Sequence, residues 1–152
     1  MRQLHIIAHA PSVNTVRLKD AALSGAKAGS SAVNTIWTPP LKAGPDQILA
    51  ADAVILGTTE NLGYMAGALK DFFDRTYYPV LEEKQGLPFA TYIRAGHDGT
   101  GTRRAIESIT TGLKWKPVQE PLVLRGDWQE DFIAQVEELG EAMAAGLELG
   151  VF

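Results

Sequence analysis

The sequence predicts an α/β fold, a parallel sheet with helices on both faces. Two observations lead there. Short apolar runs alternate along the chain with segments of helical period. The apolar runs are also strand-sized and nearly continuous, the pattern of strands buried on both sides. A length of 152 residues fits one domain, 1–152, able to bury about 70% of the surface its unfolded form exposes. No internal repeat, low-complexity tract or linker-like stretch interrupts it.

Leu4–His5–Ile6–Ile7–Ala8 reads as a buried first strand that ends in the loop His9–Ala10–Pro11–Ser12. Asn14 or Thr15 offers an N-cap for a helix running to about Gly29. Val33–Trp37 is a second strand, closed by Pro39–Pro40, and Asp46–Leu49 is at most a short helix. Ala53–Gly57 is the third strand. Met65, Leu69, Phe72, Phe73 and Thr76 then fall on one helix face, and Tyr77–Tyr78–Pro79 reads as a turn after it.

Phe89–Ile93 is the fourth strand, followed by a loop, Arg94 to Gly101, and a helix with Ala105, Ile106, Ile109 and Leu113 on one stripe. Pro117–Val118 and Pro121–Leu124 form an interrupted fifth strand. Proline there suits a sheet edge, where a missing donor is tolerated. Phe132, Val136, Leu139, Met143 and Leu147 complete a last amphipathic helix.

Right-handed crossovers leave few topologies for five such strands, and 2-1-3-4-5 is the common order at this size. Ligands of such sheets bind outside the carboxyl ends of the strands, where the winding direction switches between the first and third strands. The loops in that place are Ala8–Thr15, Thr58–Met65 and Arg94–Gly101.

Composition excludes several chemistries. The absence of cysteine removes disulfides, thiol nucleophiles and cysteine-bound metal clusters. A net charge of −4 gives no support for binding nucleic acid and falls short of a strongly acidic docking protein. His5, His9 and His97 lack metal-ligand spacing, so no metal site is expected. The apolar runs are too short to span a membrane. The start, MRQLHIIAHAPS, is too short in its apolar run for a signal-peptide core, and a cytoplasmic location is expected.

In the first loop Ser12, Asn14 and Thr15 gather two hydroxyls, an amide and free helix N–H groups around a small volume that suits a phosphate monoester. Alternatively, Ser12 or Asn14 only caps the helix. Neither the P-loop string nor the dinucleotide G-x-G-x-x-G follows the first strand. In the second loop Gly57, Gly63 and Gly67 keep the backbone open for a flat ligand. Asn61 can meet a heterocycle's polar edge, and Tyr64 can offer a ring face or pack in the core. The third loop, RAGHDGTGT, carries His97 and Asp98 among glycines, but no nucleophile elbow accompanies them. His9, at the strand end, is a candidate contact for a ligand phosphate.

Two segments, IIAHAPSVNTVRL and GTTENLGYMAGALKDFFDRT, resemble the flavodoxin-like superfamily, most of all its NAD(P)H-dependent FMN reductase and NAD(P)H:quinone oxidoreductase branches. The second is similar to G-T-P-x-x-x-G-x-M-x-G-x-x-K-x-F-x-D-R-T, keeping Gly57, Thr58, Gly63, Met65, Gly67, Lys70, Phe72, Asp74, Arg75 and Thr76. The chain departs from the pattern at Val13, Thr59 and Tyr64.

The resemblance implies a flavodoxin-like doubly wound five-stranded sheet holding noncovalent FMN. Carried over by position, His9, Pro11, Ser12, Asn14 and Thr15 would surround the phosphate. Thr58, Thr59, Glu60, Asn61, Leu62, Gly63 and Tyr64 would line one side of the isoalloxazine, and Ala95, Gly96, His97 and Gly99 another. Glu60 beside the ring would disfavour an anionic reduced flavin and lower its potential. NAD(P)H would be the electron donor, and a flavin, a quinone or a similar small molecule the acceptor. No catalytic side chain is named, because the flavin carries the chemistry. Reductases of this kind often pair, so a homodimer is expected. Two other readings stay open: a small flavodoxin-type electron carrier, and a flavin-free protein of this fold that only binds a partner.

Overall fold

The computed structural model describes residues 1–152. The elements in chain order are β1 (Gln3–Ala8), α1 (Val13–Gly29), β2 (Asn34–Thr38), α2 (Pro45–Ala50), β3 (Ala53–Asn61) and β4 (Tyr64–Met65). After them come α3 (Gly67–Val80), β5 (Pro88–Ala95), α4 (Thr100–Gly112), β6 (Lys116–Pro117), β7 (Leu122–Arg125) and α5 (Asp131–Leu149). The parallel sheet runs β2-β1-β3-β5, and β6 and β7 both pair with the outer side of β5. This is the expected 2-1-3-4-5 order with the fifth position split in two. The register sets Ile6 against Ile55 and Leu56 against Thr91.

Side chains alternate across a strand, so each strand feeds two cores. Leu4 and Ile6 point to one layer, where α1 and α5 supply Leu18, Phe132, Val136 and Leu139. Ile7, Val54 and Leu56 point to the other, against Leu69, Phe72 and Phe73 of α3 and Ile106 of α4. Burying a Leu or Phe side chain stabilises by about 1.5–3 kcal/mol. Helices α1 and α5 approach closely because glycines face the contact. A Cβ at Gly25 would overlap the backbone oxygen of Glu137, and one at Gly140 that of Ala22.

Of four expectations, two change, one alternative is selected and one is met. The N-cap of α1 is Ser12, one of the alternatives the sequence offered, and not Asn14 or Thr15. Tyr77–Tyr78–Pro79 lies inside the last turn of α3 and is not a turn of its own. The short helix is present as α2, with Pro45 in its first turn. The third strand continues past Gly57 to Asn61 and folds back as a hairpin, pairing Glu60 with Met65 and Asn61 with Tyr64. Here sheet pairing extends the strand through residues that read as loop. No helix is long and apolar enough to cross a membrane.

Candidate functional site

The first loop spans four residues, from His9 to Ser12, between β1 and α1. Its hydroxyls are used locally. The Ser12 N–H donates to Thr15 Oγ1 at 2.8 Å, and the Thr15 N–H donates to Ser12 Oγ at 3.3 Å, a reciprocal cap. The next N–H groups, of Val13 and Asn14, have no partner in the protein. No acidic residue stands in the first turn of α1, so nothing in the turn itself offsets the positive end of the helix. Pro11 is exposed beside it. His9 is tied by its N–H to the carbonyl of Gly57 at 3.0 Å. Partial burial lowers the His9 pKa from the ordinary histidine value, so the ring is neutral at pH 7.

The second loop is the β3–β4 hairpin. Leu62 and Gly63 form its tip, with φ of 54° and 76°. Such a turn needs the left-handed region twice, which glycine enters freely and leucine does not. Leu62 is fully exposed and Tyr64 is 40% exposed. Thr58 turns inward, its hydroxyl accepting the Ala66 N–H at 3.0 Å and donating to the Thr59 carbonyl. The Thr59 hydroxyl donates to Asn61 Oδ1 at 2.7 Å.

The third loop is held against this hairpin. Glu60 accepts the N–H groups of His97 at 2.9 Å and Gly99 at 2.8 Å. Gly101 faces the carbonyl of Gly63 so closely that no side chain fits between them. Gly99 lies in the left-handed region. Asp98 accepts the Thr100 N–H at 3.0 Å; this bond, with Arg125 nearby, holds its carboxyl below the ordinary range. The Ala95 side chain is buried, so only its backbone is available to a ligand. The loops therefore meet as two joined pairs: His9 with Gly57, and Glu60 with His97 and Gly99.

Gly57 has a reason that its position in the sequence did not reveal. A Cβ there would overlap the ring of Tyr92, on the neighbouring strand. The Tyr92 hydroxyl is buried without a hydrogen-bond partner, and burial raises its pKa well above the ordinary phenol value. A further cluster flanks the first loop. Arg17 donates to Asn14 Oδ1 and pairs with Glu130, while Trp128 lies within 5.6 Å of Arg17 and 5.8 Å of Arg94. Glu130 is held down to about 2, by the Arg17 and Trp128 hydrogen bonds it accepts. The available signal was the loop after the last strand, a fourth segment at the carboxyl end of the sheet.

Residues 10–130 match the family model of the NADPH-dependent FMN reductases. The chain belongs to that family. The match takes in the second and third loops and the first from Ala10 onward, and makes the chain a flavoprotein oxidoreductase by class. The fold agrees. A flavodoxin from the domain Archaea is similar at a TM-score of 0.79 and 16% identity, covering 96% of this chain and 99% of that one. A WrbA-like flavodoxin from Agrobacterium tumefaciens is similar at 0.77 and 16% identity, covering 98% and 99%. An azoreductase from Bacillus anthracis is similar at 0.73 and 14% identity, covering 95% and 99%. A search of curated proteins finds no match.

The residues present fit the flavin mononucleotide of an FMN reductase. Two unpartnered N–H groups at the start of α1 form a donor set for a phosphate, beside the Ser12 and Thr15 hydroxyls, which bond each other and the Ser12 carbonyl. Around the hairpin tip, Gly63 and Gly96 have nothing within 4 Å of where a Cβ would stand, and Leu62 and Tyr64 offer apolar surface. No group of His, Asp and Glu side chains comes together as a metal site.

Proposed function

We propose that this FMN reductase family member uses FMN to pass reducing equivalents from NADH or NADPH to a small acceptor such as a free flavin or a quinone. The observation that carries the reading is the first turn of α1. Its N–H groups at Val13 and Asn14 are unpartnered, and the turn itself carries no acidic residue.

On this reading Ser12, Asn14 and Thr15 bind the phosphate and His9 adds a neutral hydrogen bond beside it. Bound FMN supplies the hydride and electron chemistry. Leu62, Gly63 and Tyr64 set one wall of the ring site, and Glu60 fixes the Gly96–Gly99 loop that sets another. These groups bind and orient; none has to hold a proton in a chemical step. The donor and the acceptor would in turn meet the face left open beside the exposed hairpin tip.

The test is an absorbance spectrum of the purified protein, then an FMN titration followed by fluorescence quenching, then anaerobic mixing with NADPH or NADH. Saturable quenching and rapid bleaching of the flavin are expected. Quenching without bleaching would select an electron carrier, the second reading. A protein that does not quench FMN would leave only a flavin-free binding role.

A further inference from the structure

Along the outer side of β5 the sheet edge opens. Lys116 and Pro117 of β6 pair with Pro88 and Phe89, and β7 resumes pairing only at Leu122 against Tyr92. Between these points β5 has two residues, 90–91, whereas the edge chain has four, 118–121. The surplus bulges outward between Pro117 and Pro121, which cannot donate to a ladder. A cleft of about 170 Å³ lies behind the bulge, between β5 and α4, and shares no residue with the candidate flavin site.

Two donors in its lining are buried without partners. The Thr91 hydroxyl and the Trp115 indole N–H make no hydrogen bond, although the residues are only 2% and 5% exposed. A buried donor left unpaired costs about 1–3 kcal/mol. Phe89 and Trp115 form an aromatic wall, with ring centroids 6.0 Å apart. Arg103 at the rim is already answered by Glu107 and Glu120. The floor therefore offers hydrogen to an acceptor, the wall is apolar, and the rim carries no unpaired cation.

We propose that this cleft is a second binding site, for a neutral single-ring molecule whose carbonyl accepts from Thr91 and Trp115. The volume matches one six-membered ring, since a cavity of roughly 150 Å³ holds benzene. The indole can only donate, so the inner end of the ligand must be an acceptor. An anion would have to displace Glu107 or Glu120 from Arg103, and a cation would meet two donors.

Cyclohexanone is a suitable probe, followed by the indole N–H resonances in a ¹⁵N-labelled protein. The Trp115 resonance should shift saturably while those of Trp37 and Trp128 stay still. Thr91→Val should weaken binding by about threefold to tenfold, the loss of one hydrogen bond. Thr91→Ser should keep it, even if the valine variant folds poorly. FMN quenching should be the same with and without the probe, which separates this site from the flavin reading. A linear, unsaturated shift would overturn the proposal. So would equal binding by the valine variant, or a soaked crystal showing only water between Thr91 and Trp115.

Discussion

Glu60, at the start of the β3–β4 hairpin, accepts the backbone N–H of Gly99 at 2.8 Å, fixing the residue that opens α4. Its second oxygen accepts the N–H of His97, so one side chain joins two loops. Glu60→Gln keeps an acceptor for one N–H and turns its amide against the other. Stability should fall by about 1.5 kcal/mol, and amide exchange at His97 and Gly99 should quicken while that at Ile6 stays slow. Unchanged exchange at both amides would show that the loops hold together by other means.

The hairpin tip carries a leucine in the left-handed region, at φ 54°, with its side chain fully exposed. Asparagine tolerates that region and is the common first residue of such turns. Leu62→Asn should therefore raise stability by up to about 1 kcal/mol in urea unfolding. If Leu62 is retained to contact the flavin ring, the same change should weaken FMN binding. A gain in stability with no loss of affinity would remove Leu62 from the site.

The reciprocal cap of Ser12 and Thr15 serves the helix as well as the proposed phosphate. Ser12→Ala should cost about 1 kcal/mol of stability. The double change with Thr15→Ala should cost more and should also weaken FMN, since hydroxyl bonds to a charged group contribute about 1.5–3 kcal/mol each. Thermal melts with and without FMN separate the two effects. A melt that drops equally in both would assign the hydroxyls to the helix alone.

Acid should weaken the fold through its histidines. Burial lowers the pKa of both His5 and His9 in the folded chain. Below pH 6.5 the unfolded chain binds protons that the folded chain refuses, so stability falls as pH drops from 6.5 toward the folded values. His5 Nδ1 is buried without a partner, which adds to the cost of charging that ring. His5→Asn should flatten the stability profile between about pH 7 and 5. A profile as steep as the parent's would mean other groups set the slope.

The strands could be read in the sequence because burial on both faces makes them continuous apolar runs, as at Ala53–Leu56. The split edge strand could be read too, because Pro117 and Pro121 mark where pairing fails. The hairpin could not. Its tip is Leu62–Gly63, without the asparagine that usually announces such a turn, and its pairing partner lies within the same short segment. Ser12 could be read as a cap, but its reciprocal partner could not, because Thr15 stands where a capping pair usually has Glu or Gln. Gly57 looked like an opening for a ligand. Its constraint comes from Tyr92, which only sheet pairing brings beside it.

The close approach of α1 and α5 makes a strict packing prediction. Gly25→Ala puts a methyl into the backbone oxygen of Glu137. Overpacking of that kind costs about 1–3 kcal/mol or more, and urea unfolding of the variant should show it. An unchanged midpoint would mean that the two helices separate at little cost.

Isothermal titration of FMN into the parent chain, beside the Ser12→Ala/Thr15→Ala variant, tests the central claim most directly. Saturable one-to-one heat from the parent, and an affinity at least tenfold weaker in the variant, is the expected result. No heat from a folded parent, or equal affinity in both proteins, would contradict a flavin phosphate seated at the start of α1.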